Sequence, residues 1–393
     1  MKIAILGYGT VGRGTYDIIQ ARQKDFESLG GIQVAKVLML EKEVDQCGLD
    51  PDLICTDYQE ILEDDTITCI VEVTGAKDQG FLFIKEAIER KKHLVTANKA
   101  VVSQHLEELT GLANRYGVHF LYEAAVGGGI PLISPLKAQA KINTIDSIEG
   151  IFNGTCNYII SKMLDQGLPY GETLKKAQDL GYAEADPTDD VEGFDTLRKL
   201  VIVASLALGF PVLEEDVALE GISSIKVSDM DYLKDHDLKI KLLASFKKDG
   251  DDYGLIVEPA LIGRNHPLYG IDGATNAASL HGNFVDQLTF IGPGAGKYPT
   301  GNAVVCDIMD LCRLKEEKIN FTKRLKGSQN DIKAPYYVSL DSDQNLPKDW
   351  IDWEESVDGG KRIRTKEISR DALVGTIENL RKEGADIFFA RIQ

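Results

Sequence analysis

The sequence of 393 residues predicts an α/β protein that begins with a doubly wound parallel sheet. Two observations predict this sheet: strand-like and helix-like segments alternate up to about residue 130, and a glycine-rich turn joins the first strand to the first helix. A change of rhythm near residue 130 predicts a separate α+β domain and then a short α+β tail. At about 100–200 residues per domain, the length fits two or three domains.

Five short apolar runs in the first domain have the length and composition of buried parallel strands. They are Lys2–Leu6, Gln33–Leu40, Cys69–Val73, His93–Thr96 and His119–Tyr122. Helical patterns lie between them, for example Val11–Gln20 and Gly80–Arg90. We expect the first domain to span residues 1–132.

After residue 132 the two kinds of segment no longer alternate regularly. Residues 133–298 contain the long helical patterns Cys156–Gln166, Tyr170–Leu180 and Gly193–Leu208, and another helix is expected at about 299–315. Residues 330–393 close the chain with a strand–helix–strand pattern, and the acidic stretch 341–360 predicts a loop within this tail.

Composition and charge exclude several classes of protein. A formal net charge of −18 argues against a nucleic-acid partner, because no basic patch stands out against it. No apolar run reaches the roughly 18 residues of a membrane helix, and Met1 leads directly into the first strand, so we expect neither a membrane partner nor a signal peptide. The 6 cysteines are scattered and lack CxxC spacing, which predicts reduced thiols in a cytoplasmic protein.

The glycine-rich turn is the hexapeptide GYGTVG at residues 7–12, directly after a strand and at the start of a helix. In a GxGxxG motif the glycines allow a tight turn, close approach of a pyrophosphate, and close packing of helix against strand. The free N–H groups of the helix then face the phosphates. The motif in this context predicts a Rossmann-type domain that binds NAD or NADP.

The end of the second strand bears on the choice between the two cofactors. An acidic side chain there binds the ribose 2′-OH of NAD, whereas a basic one accommodates the 2′-phosphate of NADP. Glu41 favours NAD, and the next residue, Lys42, could still meet a phosphate. Both could equally be solvated charges, so the choice stays open.

Two lysines are candidates for catalysis. On a helix, Asp195 and Lys199 are i,i+4 neighbours, and they share a face with the apolar residues Val191, Ile202 and Leu206. A desolvated lysine beside a carboxylate can act as a proton donor. Lys99 follows the fourth strand, at the sheet edge where such folds bind ligands. A surface ion pair and a solvated loop lysine remain the alternatives.

Together these segments resemble the homoserine dehydrogenase family. The matching blocks follow the family's order over about residues 1–312. They are GYGTVG at 7–12, TANKA at 96–100, EAAVGGGIP at 123–131, NGTCNY at 153–158, the stretch 181–199, GAG at 294–296 and PTG at 299–301. Several separate blocks in the right order are more specific than any single motif.

The resemblance implies an NAD(P)-dependent reduction of L-aspartate 4-semialdehyde to L-homoserine, a reversible step in threonine, methionine and isoleucine biosynthesis. It implies a substrate-binding and dimerisation domain at 133–298, a helix at about 299–315 that rejoins the first domain, and a homodimer. Because the nucleotide motif lies close to Met1, we expect the monofunctional form of the family. The tail at 330–393 lacks the Pro-Gly-Val-Leu turn of the family's ACT domains, and we interpret it as a diverged ACT-like regulatory module.

The motif and the resemblance also imply roles for single residues. Lys199, Lys99 and Asp195 are expected at the reacting centre, with Lys199 as the proton donor. Glu184 and Asp190, with Asp195 and Lys199, are expected to bind the substrate. The expected cofactor contacts are Gly7, Gly9, Thr10, Val11, Gly12, Glu41, Thr74, Lys99, Gly181 and Gly301. A monovalent cation, sodium, is expected at Glu123, Val126, Gly128 and Ile130.

Two alternatives compete with this interpretation. The first is another dehydrogenase with the same two-domain plan, such as an aspartate-semialdehyde dehydrogenase, which would need a cysteine nucleophile with a histidine base. Cys156 lies in the block at 153–158, where the family usually has Thr, and no histidine has a matching context. A non-catalytic dinucleotide sensor would have lost Lys99, Lys199 or Asp195, and all three are present.

Overall fold

The computed structural model describes residues 1–313, 319–324, 327–341, 344–357 and 360–393. These residues form two compact units. Unit 1 comprises Met1–Lys141, Val201–Leu213 and Gly292–Arg324, and unit 2 comprises Ile142–Leu200, Glu214–Ile291 and Leu325–Gln393. None of the described helices is both long enough and apolar enough to cross a membrane.

Unit 1 contains six strands and the helices that connect them. With elements numbered along the whole chain, the strands are β1 (Lys2–Leu6), β2 (Gln33–Leu38), β3 (Ile54–Cys55), β4 (Ile67–Glu72), β5 (His93–Thr96) and β6 (Phe120–Leu121). The helices are α1 (Thr10–Ala21), α2 (Gln23–Phe26), α3 (Tyr58–Glu63), α4 (Asp78–Glu89), α5 (Lys99–Tyr116), α6 (Ile133–Ala140) and α12 (Lys297–Leu311). The five predicted strands are confirmed to within two residues at each end, and the two-residue strand β3 was missed.

The six strands pair in parallel in the order β3-β2-β1-β4-β5-β6. This is the strand order of the doubly wound dinucleotide-binding fold, which confirms the predicted fold class. Ile3, Ile5, Val71 and Val95 are completely buried in the sheet core. Because the strand order reverses between β1 and β4, the crevice at the carboxyl ends of these two strands is where such folds bind their ligands.

Helix α12 packs directly on α1 within unit 1. A Cβ atom on Gly14 would lie 2.0 Å from the Lys297 carbonyl oxygen, and one on Gly301 would lie 2.8 Å from the Thr15 nitrogen. Only glycine allows the two helices to approach so closely. The helix predicted at about 299–315 corresponds to α12, and positions 314 and 315 lie outside the described residues.

Unit 2 contains most of the remaining elements. Its strands are β7 (Ile145–Ile151), β8 (Ala218–Leu219), β9 (Lys239–Asp249), β10 (Asp252–Ile262), β11 (Thr275–Gly282), β12 (Asp286–Pro293), β13 (Lys333–Ala334), β14 (Tyr336–Leu340), β15 (Ile351–Val357), β16 (Gly360–Thr365), β17 (Ile368–Ser369) and β18 (Ile387–Ile392). The last two residues of β12 belong to unit 1. The helices are α7 (Gly154–Gln166), α8 (Tyr170–Asp179), α9 (Thr188–Val191), α10 (Phe194–Leu208), which starts in this unit, α11 (Val227–Asp235) and α13 (Arg370–Lys382).

One mixed sheet organises unit 2, in the order β12-β11-β7-β9-β10-β18-β14-β16-β15, with β8 also paired to β10. The antiparallel pair β9–β10 is its longest ladder, running from Lys239 opposite Ile262 to Asp249 opposite Asp252. The carboxyl end of β7 leads straight into α7, so the N-terminus of that helix lies at the edge of the sheet.

The tail extends this sheet through β18, which pairs in parallel with β10. A buried ion pair reinforces the connection, because Arg370 Nε donates to Glu258 Oε2 at 2.8 Å and Glu258 has no exposed surface. Arg391 Nε lies 3.1 Å from the other oxygen of Glu258. The ACT-like interpretation of residues 330–393 stays a prediction.

The loop predicted at 341–360 is wrong in its second half, where β15 forms. The acidic side chains that suggested a loop lie on this edge strand and pair with basic residues of β16, as in Glu354–Lys361 at 3.3 Å and Asp352–Arg364 at 2.7 Å. Such cross-strand ion pairs stabilise a strand whose composition is otherwise typical of a loop. Residues 342, 343, 358 and 359 of the predicted loop lie outside the described residues.

Candidate active site

The glycine turn of unit 1 has the geometry that a dinucleotide requires. Gly7 has φ +97°, a left-handed conformation that side chains disfavour, and a Cβ on Gly12 would lie 2.1 Å from the Gly7 carbonyl oxygen. Around Gly9 there is open space where a Cβ would stand, so a pyrophosphate can approach the backbone. Thr10 and Val11 begin α1, whose N-terminus has no side-chain cap, and their N–H groups can bind an anion.

A buried carboxylate organises the ends of β4 and β5 in unit 1. Glu72 has no exposed surface and accepts hydrogen bonds from the Thr74 main chain at 3.0 Å, the Thr74 hydroxyl at 2.6 Å and the Thr96 hydroxyl at 2.7 Å. The Thr96 hydroxyl accepts from the Asn98 N–H, and Asn98 caps α5. Lys99, the first residue of α5, is therefore held at the carboxyl edge of the sheet. Sequence reasoning missed Glu72, since an acid inside an apolar strand gives no sign of its partners.

The second predicted lysine lies in a buried cluster in unit 2. Lys199 is 8% exposed, and its ammonium group donates to Asp195 Oδ2 at 2.6 Å and to the Phe152 carbonyl oxygen at 2.7 Å. The Asn276 side chain, from β11, donates to the same carbonyl at 2.9 Å. The alternative of a solvated surface ion pair is therefore wrong for Lys199 and Asp195, because both side chains are removed from water.

Asn153 joins the two aspartates of this cluster. Its Nδ2 donates to Asp190 Oδ1 at 2.6 Å and to Asp195 Oδ2 at 3.0 Å, while its Oδ1 caps α7 by accepting from the Cys156 N–H at 2.8 Å. A single amide thus fixes the start of α7 and the positions of both carboxylates. An Asn before Gly-Thr at a predicted helix start could have indicated the cap, but nothing local indicated its two aspartate partners.

Glu184 and Gly181 lie outside this hydrogen-bonded cluster. Both are exposed in the loop after α8, and Gly181 has φ +76°. The loop is attached to α7, because the Thr155 hydroxyl donates to the Tyr182 carbonyl oxygen at 2.7 Å. The Glu184 main-chain carbonyl accepts from Gln178. Glu184 is thus exposed on a loop that hydrogen bonds from Thr155 and Gln178 hold in place.

The predicted cation residues form a buried turn in unit 1. The Glu123 carboxylate accepts from the N–H groups at the start of α6, those of Leu132 and Ile133 at 2.6 Å and of Ser134 at 2.8 Å. Among the described residues, nothing donates a hydrogen bond to the main-chain carbonyls of the other three members, Val126, Gly128 and Ile130, which are all buried. Buried carbonyl oxygens without a donor suit a hard cation. No group of three or more His, Cys, Asp or Glu in the described part of the chain could hold a metal ion.

Two further residues, Glu41 and Gly301, are expected to contact the cofactor, and they lie in different surroundings. Glu41 is exposed at the start of a 3₁₀ helix, Glu41–Gln46, after β2. Gly301 is packed against α1, so its glycine is explained by helix packing, and a contact with the cofactor rests on the resemblance alone.

Cys156 cannot serve as the nucleophile of an aldehyde dehydrogenase. It is completely buried, and burial, with the nearby charges of Asp190 and Asp195, raises the pKa of its thiol well above the ordinary value. A thiolate would not form near neutral pH, and thiolate is the reactive form.

The fold and these two groups of residues define an NAD(P)-dependent oxidoreductase, and comparison with known proteins narrows the class. A family model described as the NAD-binding domain of homoserine dehydrogenase matches residues 7–123, and the homoserine dehydrogenase model matches residues 131–309. The chain belongs to the homoserine dehydrogenase family and is thus an oxidoreductase acting on a CH–OH group.

Individual relatives cover most of the chain. The homoserine dehydrogenase of Synechocystis sp. is 44% identical over 317 residues, which is 79% of this chain and 73% of that protein. That of Bacillus subtilis is 38% identical over 343 residues, covering 86% of this chain and 77% of that protein. The crystal structure of a homoserine dehydrogenase from Thiobacillus denitrificans matches with a TM-score of 0.89 at 28% identity, over 100% of this chain and 98% of that one.

Replacing Asn153 with Asp tests the amide that joins the two aspartates. The substitution keeps the oxygen that caps α7 but puts an acceptor in place of the donor facing Asp190 and Asp195. We expect homoserine turnover to fall more than tenfold and the free energy of unfolding to fall by about 1–3 kcal/mol, measured by urea denaturation. Asn283→Asp makes the same chemical change in an exposed turn and should have little effect on either quantity. Wild-type turnover in Asn153→Asp would show that the amide does not organise the site.

Proposed function

We propose that the chain catalyses the reversible reduction of L-aspartate 4-semialdehyde to L-homoserine, with Lys199 as the proton donor. The observation that carries this proposal is the Lys199–Asp195 pair of unit 2, whose charged atoms are 2.6 Å apart and whose side chains are both buried. When bound, the reduced nicotinamide supplies the hydride that attacks the aldehyde carbon. Lys199 donates a proton to the aldehyde oxygen as negative charge develops on it, and in the oxidation of homoserine it takes this proton back.

Burial makes Lys199 suited to this role. In a low-dielectric environment the attraction between an ammonium group and a developing alkoxide is stronger than in water. The Phe152 carbonyl and Asp195 hold the ammonium in place before the substrate arrives, so little reorganisation is needed at the moment of reaction.

The aspartates of the cluster are proposed to bind the substrate. Aspartate semialdehyde and homoserine both carry an ammonium group, and Asp190 and Asp195, which Asn153 joins, offer it two carboxylates. Glu184 is proposed to approach the same ammonium group from its exposed loop. In unit 1, the glycine turn, Thr74 and Lys99 are proposed to hold the cofactor.

The direct test is to follow the absorbance of the reduced nicotinamide with L-homoserine and either NAD or NADP. Turnover with at least one cofactor supports the proposal, and folded protein that reduces neither would overturn it.

Replacing Lys199 with Met removes the ammonium group but keeps the length of the side chain. We expect kcat for homoserine oxidation to fall at least 100-fold, as is typical for the loss of a general acid or base, while the Kd of the cofactor stays within a few-fold. The matched control is Lys176→Met, since Glu172–Lys176 has the same i,i+4 spacing but is solvent-exposed, at 53% and 45%. A Lys199→Met enzyme with near-normal kcat would remove Lys199 from the chemistry.

A monovalent cation, sodium, is proposed to bind the turn formed by Glu123, Val126, Gly128 and Ile130. Three buried carbonyls without hydrogen-bond donors among the described residues support this, and Glu123 would contribute its main-chain oxygen, because its carboxylate caps α6. The ion would stabilise the turn that joins β6 to α6 and thereby the edge of the cofactor unit.

The cation proposal predicts a higher Tm in sodium chloride than in choline chloride at equal ionic strength. A site that binds only the folded protein stabilises it by about 2.7 kcal/mol when the ion is present at 100 times its Kd. Gly128→Ala should abolish the difference, since its Cβ would lie 2.2 Å from the Gly294 carbonyl oxygen, whereas Gly111→Ala, in open space on α5, should keep it. Equal Tm values for the wild type in both salts would contradict the proposal.

A homodimer is proposed from the resemblance and supported by the edge strand β12. Phe284, in the turn before it, is 81% exposed, and Ile291 on the strand is 58% exposed. Exposed apolar residues at an open sheet edge are typical of a strand that meets another chain.

The dimer proposal predicts a mass of twice 43.2 kDa by sedimentation equilibrium. Ile291→Lys should shift the protein towards the monomer, because it places a charge in the contact. Leu82→Lys, at a 45% exposed leucine on α4, is the control and should leave the mass unchanged. A monomeric wild type at micromolar concentration would contradict the proposal.

The cytoplasmic location also stays a proposal. It is supported by the state of the cysteines, because all six lie in described parts of the chain and all are free thiols.

A further inference from the structure

We infer that Arg13 and Lys42 form a binding site for the 2′-phosphate of NADP, and that they give the enzyme a preference for NADP over NAD. The inference rests on the proposed function and names the cofactor it uses. It concerns the adenosine end of the cofactor, where NAD and NADP differ. The sequence left the choice between them open, because Glu41 favours NAD and Lys42 could meet a phosphate.

The first observation is the position of Arg13. It follows the third glycine of the motif, on the first turns of α1, and its guanidinium lies 4.5 Å from the centre of the Tyr8 ring. Its NH1 group donates to the Cys47 carbonyl oxygen at 3.3 Å, in the segment after β2. Arg13 therefore extends from α1 to the segment that follows β2, and it lines one cavity together with Met39, the first residue after that strand. Doubly wound folds bind the ribose of adenosine at this strand end.

The second observation is the cavity at this place. Its volume is about 320 Å³, and the residues that line it are Tyr8, Arg13, Met39, Lys42, Glu43, Gln46 and Cys47. Lys42 is one of the residues after β2 that line the cavity, whereas Glu41 is not among the lining residues. Two cations, one from α1 and one from the segment after β2, thus face the same small space, whereas the acid expected to bind a ribose 2′-OH is outside it.

The residues that line the cavity carry one acidic group beside these two cations. Glu43 is the acid that lines it, and its carboxylate accepts from the Leu40 N–H at 3.1 Å, which directs it to the start of the 3₁₀ helix. Burial raises the pKa of Tyr8 to about 12, so this residue stays a neutral phenol whose ring supports the guanidinium.

The geometry of Arg13 suits a phosphate in particular. A guanidinium has five N–H donors, and the bond to Cys47 uses one side of it. Stacking on Tyr8 and the bond to Cys47 fix the group before a ligand arrives, which lowers the entropy lost on binding. Arginine binds phosphate through paired hydrogen bonds, and Lys42 adds a second positive charge.

The test uses two nucleotides that differ only in the group of interest, adenosine 2′,5′-bisphosphate and adenosine 5′-monophosphate. Calorimetry on the full-length protein gives the Kd of each. We expect the bisphosphate to bind at least tenfold more tightly, and we expect this ratio to fall as the ionic strength rises. Equal affinity of the wild type for both nucleotides would overturn the inference.

Variants assign the preference to the two side chains. Arg13→Ser should lower the ratio of the two affinities at least tenfold, and Lys42→Gln should lower it several-fold, while the affinity for the monophosphate changes little. The matched control is Arg22→Ser at the other end of α1, where the arginine is exposed and paired with Asp25. The ratio of kcat/KM for NADP and NAD with homoserine should follow the same order. An unchanged affinity ratio in Arg13→Ser would remove that residue from the site.

The failure of this inference and that of the proposed function are distinguishable. If homoserine is oxidised but the two nucleotides bind equally, the cofactor inference fails and the function stands. If the bisphosphate is preferred but neither cofactor is reduced, the inference stands and the function fails.

Discussion

The burial of one ammonium group is the constraint on which the catalytic part of unit 2 depends. A buried charge without partners costs several kcal/mol, so the chain has to bring Lys199 an anion and an acceptor. It supplies Asp195 from the preceding helical turn and the Phe152 carbonyl from the end of β7. Asn276, from β11, holds that carbonyl from the other side. The end of β7, the start of β11 and the start of α10 are thus fixed around a single nitrogen atom.

Helix α7 connects this group to a second buried lysine. Asn153 at its start binds the aspartates of the Lys199 cluster, and Asn157, one turn later on the same face, accepts a hydrogen bond from Lys241 at 3.0 Å. Lys241 is 1% exposed, and it also donates to Asp272. Both ends of this turn of α7 are therefore tied to buried charges, and the helix cannot shift without breaking one of them. This rigidity keeps the amide of Asn153 in register with both carboxylates.

The sequence predicted the local parts of this arrangement and missed the distant ones. The GYGTVG turn and the alternation of strands and helices follow from local patterns, and they predicted the parallel sheet. The i,i+4 spacing of Asp195 and Lys199 on an apolar face indicated their pairing. The other members of the cluster are distant in sequence. Asn153 contacts Asp195, which is 42 positions away, and Asn276 contacts Phe152, which is 124 positions away. No local pattern encodes such distances. Local pattern also gives no sign that Lys241 is buried. It lies between the apolar residues Ile240 and Leu242 on β9, and alternation of apolar and polar residues would suggest that its side chain is exposed.

The choice between NAD and NADP involves residues from more than one element of unit 1. Sequence reasoning looked for the 2′ determinant at the end of β2, where Glu41 stands, and so favoured NAD. In the structure a cation from α1 lies at the same place, because Arg13 reaches over Tyr8 to the Cys47 carbonyl, and we propose that it takes part in the choice. The net charge of −18 does not oppose the binding of an extra phosphate, because exposed charges farther away than about 8 Å are largely screened at physiological ionic strength. Among the residues that line the cavity, the two basic side chains of Arg13 and Lys42 are accompanied by one acid, Glu43, whose carboxylate accepts a hydrogen bond from the Leu40 N–H. With a 2′-phosphate site at Arg13 and Lys42, as we propose, cofactor choice depends on a cavity that several elements form and not only on the residue that ends one strand.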